Sequence, residues 1–383
     1  MTLPLSGLII LDLTHVLAGP FASMTLADLG ATVIKVERPG LGDDTRAFPP
    51  FKDGDSAYFA AINHSKQSIA LDLKSDPDRA IFDRLLAHTD IVLENFRPGT
   101  MEKLGYGWEV LHARHPNLIY GAVSGFGHTG PDALEPAYDM VVQARGGVMS
   151  ITGEQGRDPV RVGASIGDIV AGMFLAQGIL AAVIDRQKTG AGRKVDVAML
   201  DSQLAILEHA IAITHTTGTP PSPSGARHPS ITPFETFHAS DGLFVIAAGN
   251  DVLFTRLCRT LHLPIAEDPR FATNAARCEN ARLLKRLIEA VTLDHPAALW
   301  IERLTDAGIP TGPIQNVAEV MADRQIKARN MVVDILDASG EPRFKSAGNP
   351  IKISDMPDPP TRTAAPALDG DRAAILKWLE DKG

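Results

Sequence analysis

The stretch from Leu8 to Glu37 limits the fold more than any other. Residues 8–13 are an almost unbroken aliphatic run, the pattern of a strand buried on both faces. After a loop at residues 14–19, Pro20 opens a helical pattern with Phe21, Met24, Leu26 and Leu29 as its apolar positions, and Gly30 closes it. A second aliphatic run follows at residues 32–36. Strand, helix and strand in so short a span imply a crossover between parallel strands, and hence an α/β architecture.

The alternation continues. Residues 68–73, 91–94, 117–123 and 194–197 read as strands, and residues 76–88, 101–104, 108–114, 138–147 and 201–215 as helices. Ligands of such sheets bind beyond the carboxyl ends of the strands, where residues 14–20, 95–99 and 124–131 lie. Glu37 ends the second strand, at the place of a ribose-binding acid. The first loop, His15-Val16-Leu17-Ala18-Gly19-Pro20, is not G-x-G-x-x-G, which disfavours a nicotinamide or flavin enzyme. Arg38 follows Glu37 and suits either a phosphate or an ion pair with that glutamate.

Residues 216–229 are rich in Pro, Ser, Gly and Thr and read as a linker. Beyond them, residues 234–238 and 243–247 alternate like a hairpin around Asp241-Gly242. Helical patterns cover 252–261, 275–292 and 296–307, a loop covers 308–313, and a helix covers 317–330. Edge strands at 332–336 and around Phe344 lead to a last helix at 371–380.

One short stretch carries the candidate chemistry. Val162-Gly163-Ala164-Ser165-Ile166-Gly167-Asp168-Ile169 runs into an apolar segment, residues 170–183, that reads as a buried helix. Asp168 then falls in the first helical turn, where the dipole and free N–H groups favour a carboxylate. Two roles fit that position, a cap or an ionised nucleophile. Gln177 and Gly178 interrupt the apolar segment and Asp185-Arg186 close it, so it reads as too short to span a bilayer. A formal net charge of −9 over 383 residues argues against general nucleic-acid binding. Cys258 and Cys278 match no zinc or redox spacing, and no basic region precedes the first apolar run; both point to the cytoplasm. No G-x-S-x-G, H-E-x-x-H or other metal-ligand spacing occurs, which leaves a hydrolase without its machinery.

Several motifs, in order, resemble the class III CoA-transferase family (the CaiB/BaiF type). They are Leu5-Ser6-Gly7, Leu11-Asp12-Leu13-Thr14 with Leu17-Ala18-Gly19-Pro20, and residues 30–37, Gly-Ala-Thr-Val-Ile-Lys-Val-Glu. Glu94-Asn95-Phe96-Arg97-Pro98-Gly99, Thr189-Gly190-Ala191-Gly192 and residues 308–313, Gly-Ile-Pro-Thr-Gly-Pro, complete the set. The resemblance runs nearly end to end. It implies a Rossmann-like large domain built from both termini, residues 1–215 and 326–383. It also implies a smaller α+β domain at 230–325, reached through the 216–229 linker, and an interlocked, ring-like homodimer. Asp168 becomes the nucleophile, CoA a co-substrate with no tightly bound cofactor and no metal. The implied CoA contacts are Val16, Leu17, Ala18, Arg38, residues 71–74 including Leu71 and Lys74, Asn95, Phe96, Lys103 and Tyr138. The family's flexible glycine loop has no glycine run here; Ser224-Gly225-Ala226 or Ala248-Gly249-Asn250 is the nearest counterpart.

The branch is read from departures. The formyl-CoA type carries Gln in place of Leu17 and Lys in place of Pro136, which argues against formate or oxalate. The racemase branch carries His before Asp where this chain has Tyr138-Asp139, and tyrosine is a poor proton acceptor at neutral pH. His128 is the one substitute for that base. Thr45-Arg46 after Gly42-Asp43-Asp44, and Ala247-Ala248-Gly249-Asn250, look most like the succinyl-CoA-dependent dicarboxylate branch. The expected reaction is CoA transfer from such an acyl-CoA to a small dicarboxylic acid. Arg46, Arg227 and His228 are the candidate cations for the second carboxylate. An inactive acyl-CoA-binding protein is the reading from another class, and an intact Asp168 speaks against it.

Overall fold

Six parallel strands organise the first part of the computed structural model, which describes residues 2–382. They are β1 (Ile9–Asp12), β2 (Thr32–Glu37), β3 (Gln67–Ala70), β4 (Ile91–Glu94), β5 (Ile119–Ser124) and β6 (Lys194–Ala198). Their order is β3-β2-β1-β4-β5-β6, every pair parallel. The chain moves outward from β1 to β3, then returns to the other side of β1 with β4. The carboxyl ends of β1 and β4 therefore flank the crevice where the winding reverses, the ligand position of such sheets.

The helices around this sheet are α1 (Ala18–Asp28), α2 (Ala57–Asn63), α3 (Asp76–Leu86), α4 (Thr100–Leu104), α5 (Trp108–Arg114), α6 (Asp139–Arg145) and α7 (Ile166–Thr189). Both sheet faces are covered. Ile10 and Val33 pack with Leu26 of α1 and Leu175 and Ile179 of α7. Leu11 and Ile34 face the other way, toward Phe82, Leu111 and the C-terminal helix through Ile375 and Leu379. Each such fully buried side chain contributes roughly 2 kcal/mol of transfer free energy. The C-terminal segment also shields the edge strand: Ser68 N–H donates to Asp371 and Ala70 N–H to Asp369, so β3 offers no open ladder there.

The chain divides into two compact units. The first runs to Val148, resumes over Arg161–Glu208 and again from Asp323; the second comprises Met149–Val160 and His209–Ala322. Residues 149–160 and 209–215, which the sequence assigns to the large domain, cluster instead with the second unit, and so does the 216–229 segment. The second unit holds an antiparallel hairpin, Phe234–Ala239 with Gly242–Ala247, over a core of Phe237, Phe244, Phe254, Leu257, Trp300 and Leu304.

Local differences have physical causes. Residues 308–313 contain a strand, because Thr311–Pro313 pairs with residues 244–246 and completes a three-stranded sheet. The predicted helix 275–292 breaks at Asn280, whose Nδ2 donates to the Ala276 and Arg270 carbonyls and competes with the helix ladder. The helix 317–330 breaks at Asp323, which caps a new turn at Gln325 and Ile326. The helix 201–215 is two helices that meet at Ile206-Leu207. α7 has 24 residues and is long and apolar enough by composition to cross a membrane, contrary to the shorter segment expected, but half of its most apolar window is buried inside the protein.

Candidate active site

Asp168 sits in the first turn of α7, half-buried. The N-cap residue Ser165 makes no side-chain cap. That task falls to α6: Gly167 N–H donates to Asp139 Oδ1 at 2.8 Å. Asp139 Oδ2 accepts from Gln143 Nε2 at 2.8 Å, and Gln143 Oε1 accepts Val162 N–H at 2.9 Å. Gln143 is fully buried. The turn between Val162 and Gly167 is thus pinned at both ends, which fixes the start of α7 and with it the Asp168 side chain. Two close approaches need glycine. A Cβ on Gly167 would stand 2.9 Å from Asp139 Oδ1, and one on Gly172 would stand 2.5 Å from the Ala18 carbonyl oxygen. Gly172 therefore lets α7 lie against the N-terminus of α1.

Asp168 has its pKa pushed up to about 7, first by burial and then by the charge of Asp139. The helix terminus alone predicts a firmly ionised group; burial and the second carboxylate offset that preference. Tyr58 on α2 stands at the same end. Its pKa is raised by burial, then by Asp168, Asp43 and Asp139, so its phenol lies within the field of all three carboxylates. Neither Tyr58 nor the capping role of Asp139 was legible as a site feature, since Tyr58 lies in a seven-residue helix without a strong pattern.

Of the implied CoA contacts, Arg38 and Phe96 line a cleft at the switch crevice. The cleft, of about 200 Å³, is also lined by His15, Lys35, Asp43 and Asp44, among others. Asn95 brackets His15: its Oδ1 accepts the His15 N–H at 2.9 Å and its Nδ2 donates to the His15 carbonyl at 2.7 Å. The Phe96 ring lies 5.8 Å from that of His15. Val16 has φ +66°, Leu17 precedes the first turn of α1 and Ala18 begins it. Arg38 is exposed and pairs with Asp44 at 2.7 Å rather than with Glu37. Leu71 is buried, its N–H bonded to the Glu37 carbonyl. Lys74 and Lys103 are exposed, Tyr138 is exposed at the N-cap of α6, and none of the three lines this cleft.

Two of the cations expected to receive a second carboxylate are unsuited to it. Arg46 grips the buried Glu37 through Nε at 2.8 Å and Nη2 at 2.7 Å, donates to the Pro366 carbonyl, and lies over the Phe59 ring. Its guanidinium holds the fold together. His228 is stacked between His209 and Phe234, and its Nδ1 accepts the Ser230 N–H. Burial, then His209 and Arg227, lower its pKa, which disfavours the imidazolium that a carboxylate would pair with. Arg227, in the second unit, donates from its guanidinium to the His228 carbonyl and from its backbone N–H to the Ser224 carbonyl. His128 is enclosed, with Glu94 at 3.4 Å and Lys194 at 3.0 Å. The glycine-loop counterparts are engaged: Gly225 N–H bonds to Gly153, Ala248 N–H to Pro233, and a Cβ on Gly249 would collide with Ile231. Among the described residues no group of three His, Cys, Asp or Glu could hold a metal ion.

Comparison with known proteins gives one consistent result. The model of CoA-transferase family III matches residues 5–372. An acetyl-CoA:oxalate CoA-transferase of Acetobacter aceti is 46% identical over 376 residues, covering 98% of this chain and 95% of the relative. A succinyl-CoA:mesaconate CoA-transferase of Haloarcula hispanica is 41% identical over 385 residues, covering 97% and 95%. The crystal structure of a CaiB/BaiF family protein from Brucella suis superimposes with a TM-score of 0.87 at 39% identity, covering 99% of this chain and 100% of that one.

Proposed function

This chain belongs to CoA-transferase family III and is an enzyme of that family, and from that premise we propose that it moves CoA from succinyl-CoA, or a similar acyl-CoA, to a small dicarboxylic acid through covalent intermediates on Asp168. The observation that carries the reading is the position of Asp168: half-buried in the first turn of α7, one turn ahead of Gly172, which lies against the Ala18 carbonyl, with burial and Asp139 pushing its pKa up to about 7.

The chemistry follows from what an ionisable carboxylate can do. Exchange of one thioester for another needs no external energy source, and a nucleophile on the enzyme divides it into easier steps. Asp168 attacks the thioester carbonyl of the donor, the C–S bond breaks, and an acyl anhydride forms with CoA thiolate as leaving group. The thiolate attacks the aspartyl carbonyl of the anhydride and releases the donor acid, which leaves an aspartyl-CoA thioester. The acceptor carboxylate attacks that thioester to give a second anhydride, and the returning thiolate then takes the acceptor acyl group and frees Asp168. A carboxylate with a pKa near 7 is a better leaving group than an alkoxide and a better nucleophile than a strongly acidic one, and both properties are used here.

A switch-crevice binding mode places the CoA chain along the loops after β1, β2, β3 and β4, with Arg38, Lys74 and Lys103 as the cations for its phosphates and Phe96 as an apolar surface. The relative named for oxalate removes much of the force of Leu17 and Pro136 as arguments against that acid; oxalate is itself a dicarboxylate. Self-association is part of the proposal: Met173, Phe174 and Ile184 on α7, with Met140 and Val141 on α6, expose apolar surface of the kind that a second copy covers.

The test is a matrix of acyl-CoA donors (succinyl-, acetyl- and formyl-CoA) against mono- and dicarboxylic acceptors, oxalate included. The proposal expects turnover to concentrate in the dicarboxylate columns. Turnover with monocarboxylates alone contradicts it.

A further inference from the structure

Val16 holds φ +66°, a conformation that a β-branched residue adopts only under constraint. The constraints are visible on every side of it. Asn95 fixes both the N–H and the carbonyl of His15. Val16 N–H donates to Asp43 Oδ1 at 3.2 Å. Lys35 Nζ donates to the Thr14 carbonyl at 2.6 Å and pairs with Asp43 Oδ2 at 2.9 Å. Thr14 N–H is taken by Asp12 Oδ1 at 2.9 Å, while Lys66 joins Asp12 to the Pro20 carbonyl at the start of α1. Lys35, Asp12 and Asp43 are each buried, with 0%, 0% and 3% exposure.

Charges so deeply buried are a weak source of net stability, because desolvation offsets most of their attraction. This set grips the backbone on either side of one strained residue. We propose that the Lys35–Asp43 pair is a positioning device for acyl-CoA binding: it holds Val16 in the left-handed region and so fixes the backbone of residues 16–18 in the shape that CoA meets. The inference rests on the reading of those residues as CoA contacts. Without the pair, Val16 relaxes toward negative φ, the 16–17 peptide turns, and the prepared surface is lost. Binding suffers in the ground state and the transition state alike, so KM for acyl-CoA carries the effect and kcat does not.

The experiment is a double-mutant cycle between positions 16 and 43, read by kinetics, by calorimetric binding of CoA and by thermal melting. Asp43→Ala is expected to raise KM for acyl-CoA about tenfold or more, with kcat changed less than about threefold. Asp43→Asn keeps an acceptor for the Val16 N–H but loses the charge that faces the buried Lys35, so it is expected to raise KM more than about threefold yet less than Asp43→Ala, and a wild-type KM in this variant overturns the role of the pair. Val16→Gly removes the φ penalty, so it melts higher than the wild type and binds CoA a few-fold more weakly, through lost preorganisation. In the Val16→Gly background the strain is gone, and Asp43→Ala adds no more than about a further threefold. Additive effects, or Asp43→Ala that lowers the melting temperature with CoA affinity unchanged, overturn the proposal. If Asp43→Ala does not fold, Val16→Gly alone decides: a lower melting temperature or wild-type CoA affinity overturns it. Wild-type protein that fails to bind CoA overturns the site reading and the device with it. Wild-type binding with additive variants overturns the device alone.

Discussion

Asp139 caps the helix that carries Asp168, so two carboxylates share one helix N-terminus, one hydrogen-bonded to the Gly167 N–H and one left without a hydrogen-bond partner among the described residues. Asp139 also takes the Gln143 amide, and the Arg161 guanidinium lies 3.9 Å away, so its charge is well supported. Asp168 has burial and that neighbour against it. The division of roles follows: the hydrogen-bonded carboxylate is structural, while the other has its pKa pushed up to about 7.

That division predicts the pH dependence of catalysis. Attack requires ionised Asp168, so kcat/KM should rise with pH through about 7. Asp139→Asn retains an acceptor for the Gly167 N–H but removes the charge, and should move the rising limb to lower pH without abolishing it, since burial is the larger cause. A limb that stays in place in the variant would show that Asp139 does not set the titration.

Stability should respond in the opposite sense to activity. The folded-state pKa of Asp168 is raised from 3.8 to about 7. Below 3.8 both states are protonated and nothing is lost. Between 3.8 and 7 the unfolded chain releases a proton that the folded protein retains, so stability falls as pH rises, and the loss is complete above 7. Asp168→Asn avoids it. The variant should be inactive yet more stable than the wild type by about 4 kcal/mol at pH 8, with the gap shrinking toward pH 5. Denaturant melts at the two pH values measure this, and equal gaps would contradict it.

Arg46 is predicted to serve the fold and not the substrate. Arg46→Ala leaves Glu37, 5% exposed, without its guanidinium and should cost about 3 kcal/mol. KM for the acceptor acid should stay near the wild-type value in the fraction that folds. A selective rise in that KM with unchanged stability would return Arg46 to the list of substrate ligands.

Gly172 tests the packing of α7 against the start of α1. The obstacle to a side chain there is a backbone carbonyl, that of Ala18, which cannot rotate away. Gly172→Ala should therefore lower activity at least about tenfold and destabilise by about 1–3 kcal/mol. Gly190→Ala, at a C-cap with nothing within 4 Å, is the control: it meets only its positive φ.

The sheet was legible because parallel strands buried on both faces read as aliphatic runs, and β1, β2 and β4 are such runs. The start of α7 was legible because a small, glycine-rich stretch precedes an apolar run, which puts Asp168 in the first turn; its role as nucleophile came from the family resemblance and not from the spacing. Other features left no local trace. The segment from Asp44 to Asn63 folds into short pieces, a 3-10 turn, a two-residue hairpin and α2, each below the length at which a period can be seen, and Tyr58 was hidden there. Asp12, Lys35 and Lys66 stand in the sequence as ordinary charges; only the packing of α1 over β1 and β2 buries them together. The same holds for Arg46, whose partner Glu37 lies nine residues back and beneath it. Charge can be read from a sequence, but the partner that decides its purpose is a tertiary fact.

The most direct test of the account is mass spectrometry of the protein after incubation with succinyl-CoA and quenching with hydroxylamine. The account predicts a modification on the peptide that contains Asp168, absent from Asp168→Ala, whose acyl exchange is lost. Turnover without any label at Asp168, or exchange that continues undiminished in Asp168→Ala, would contradict it.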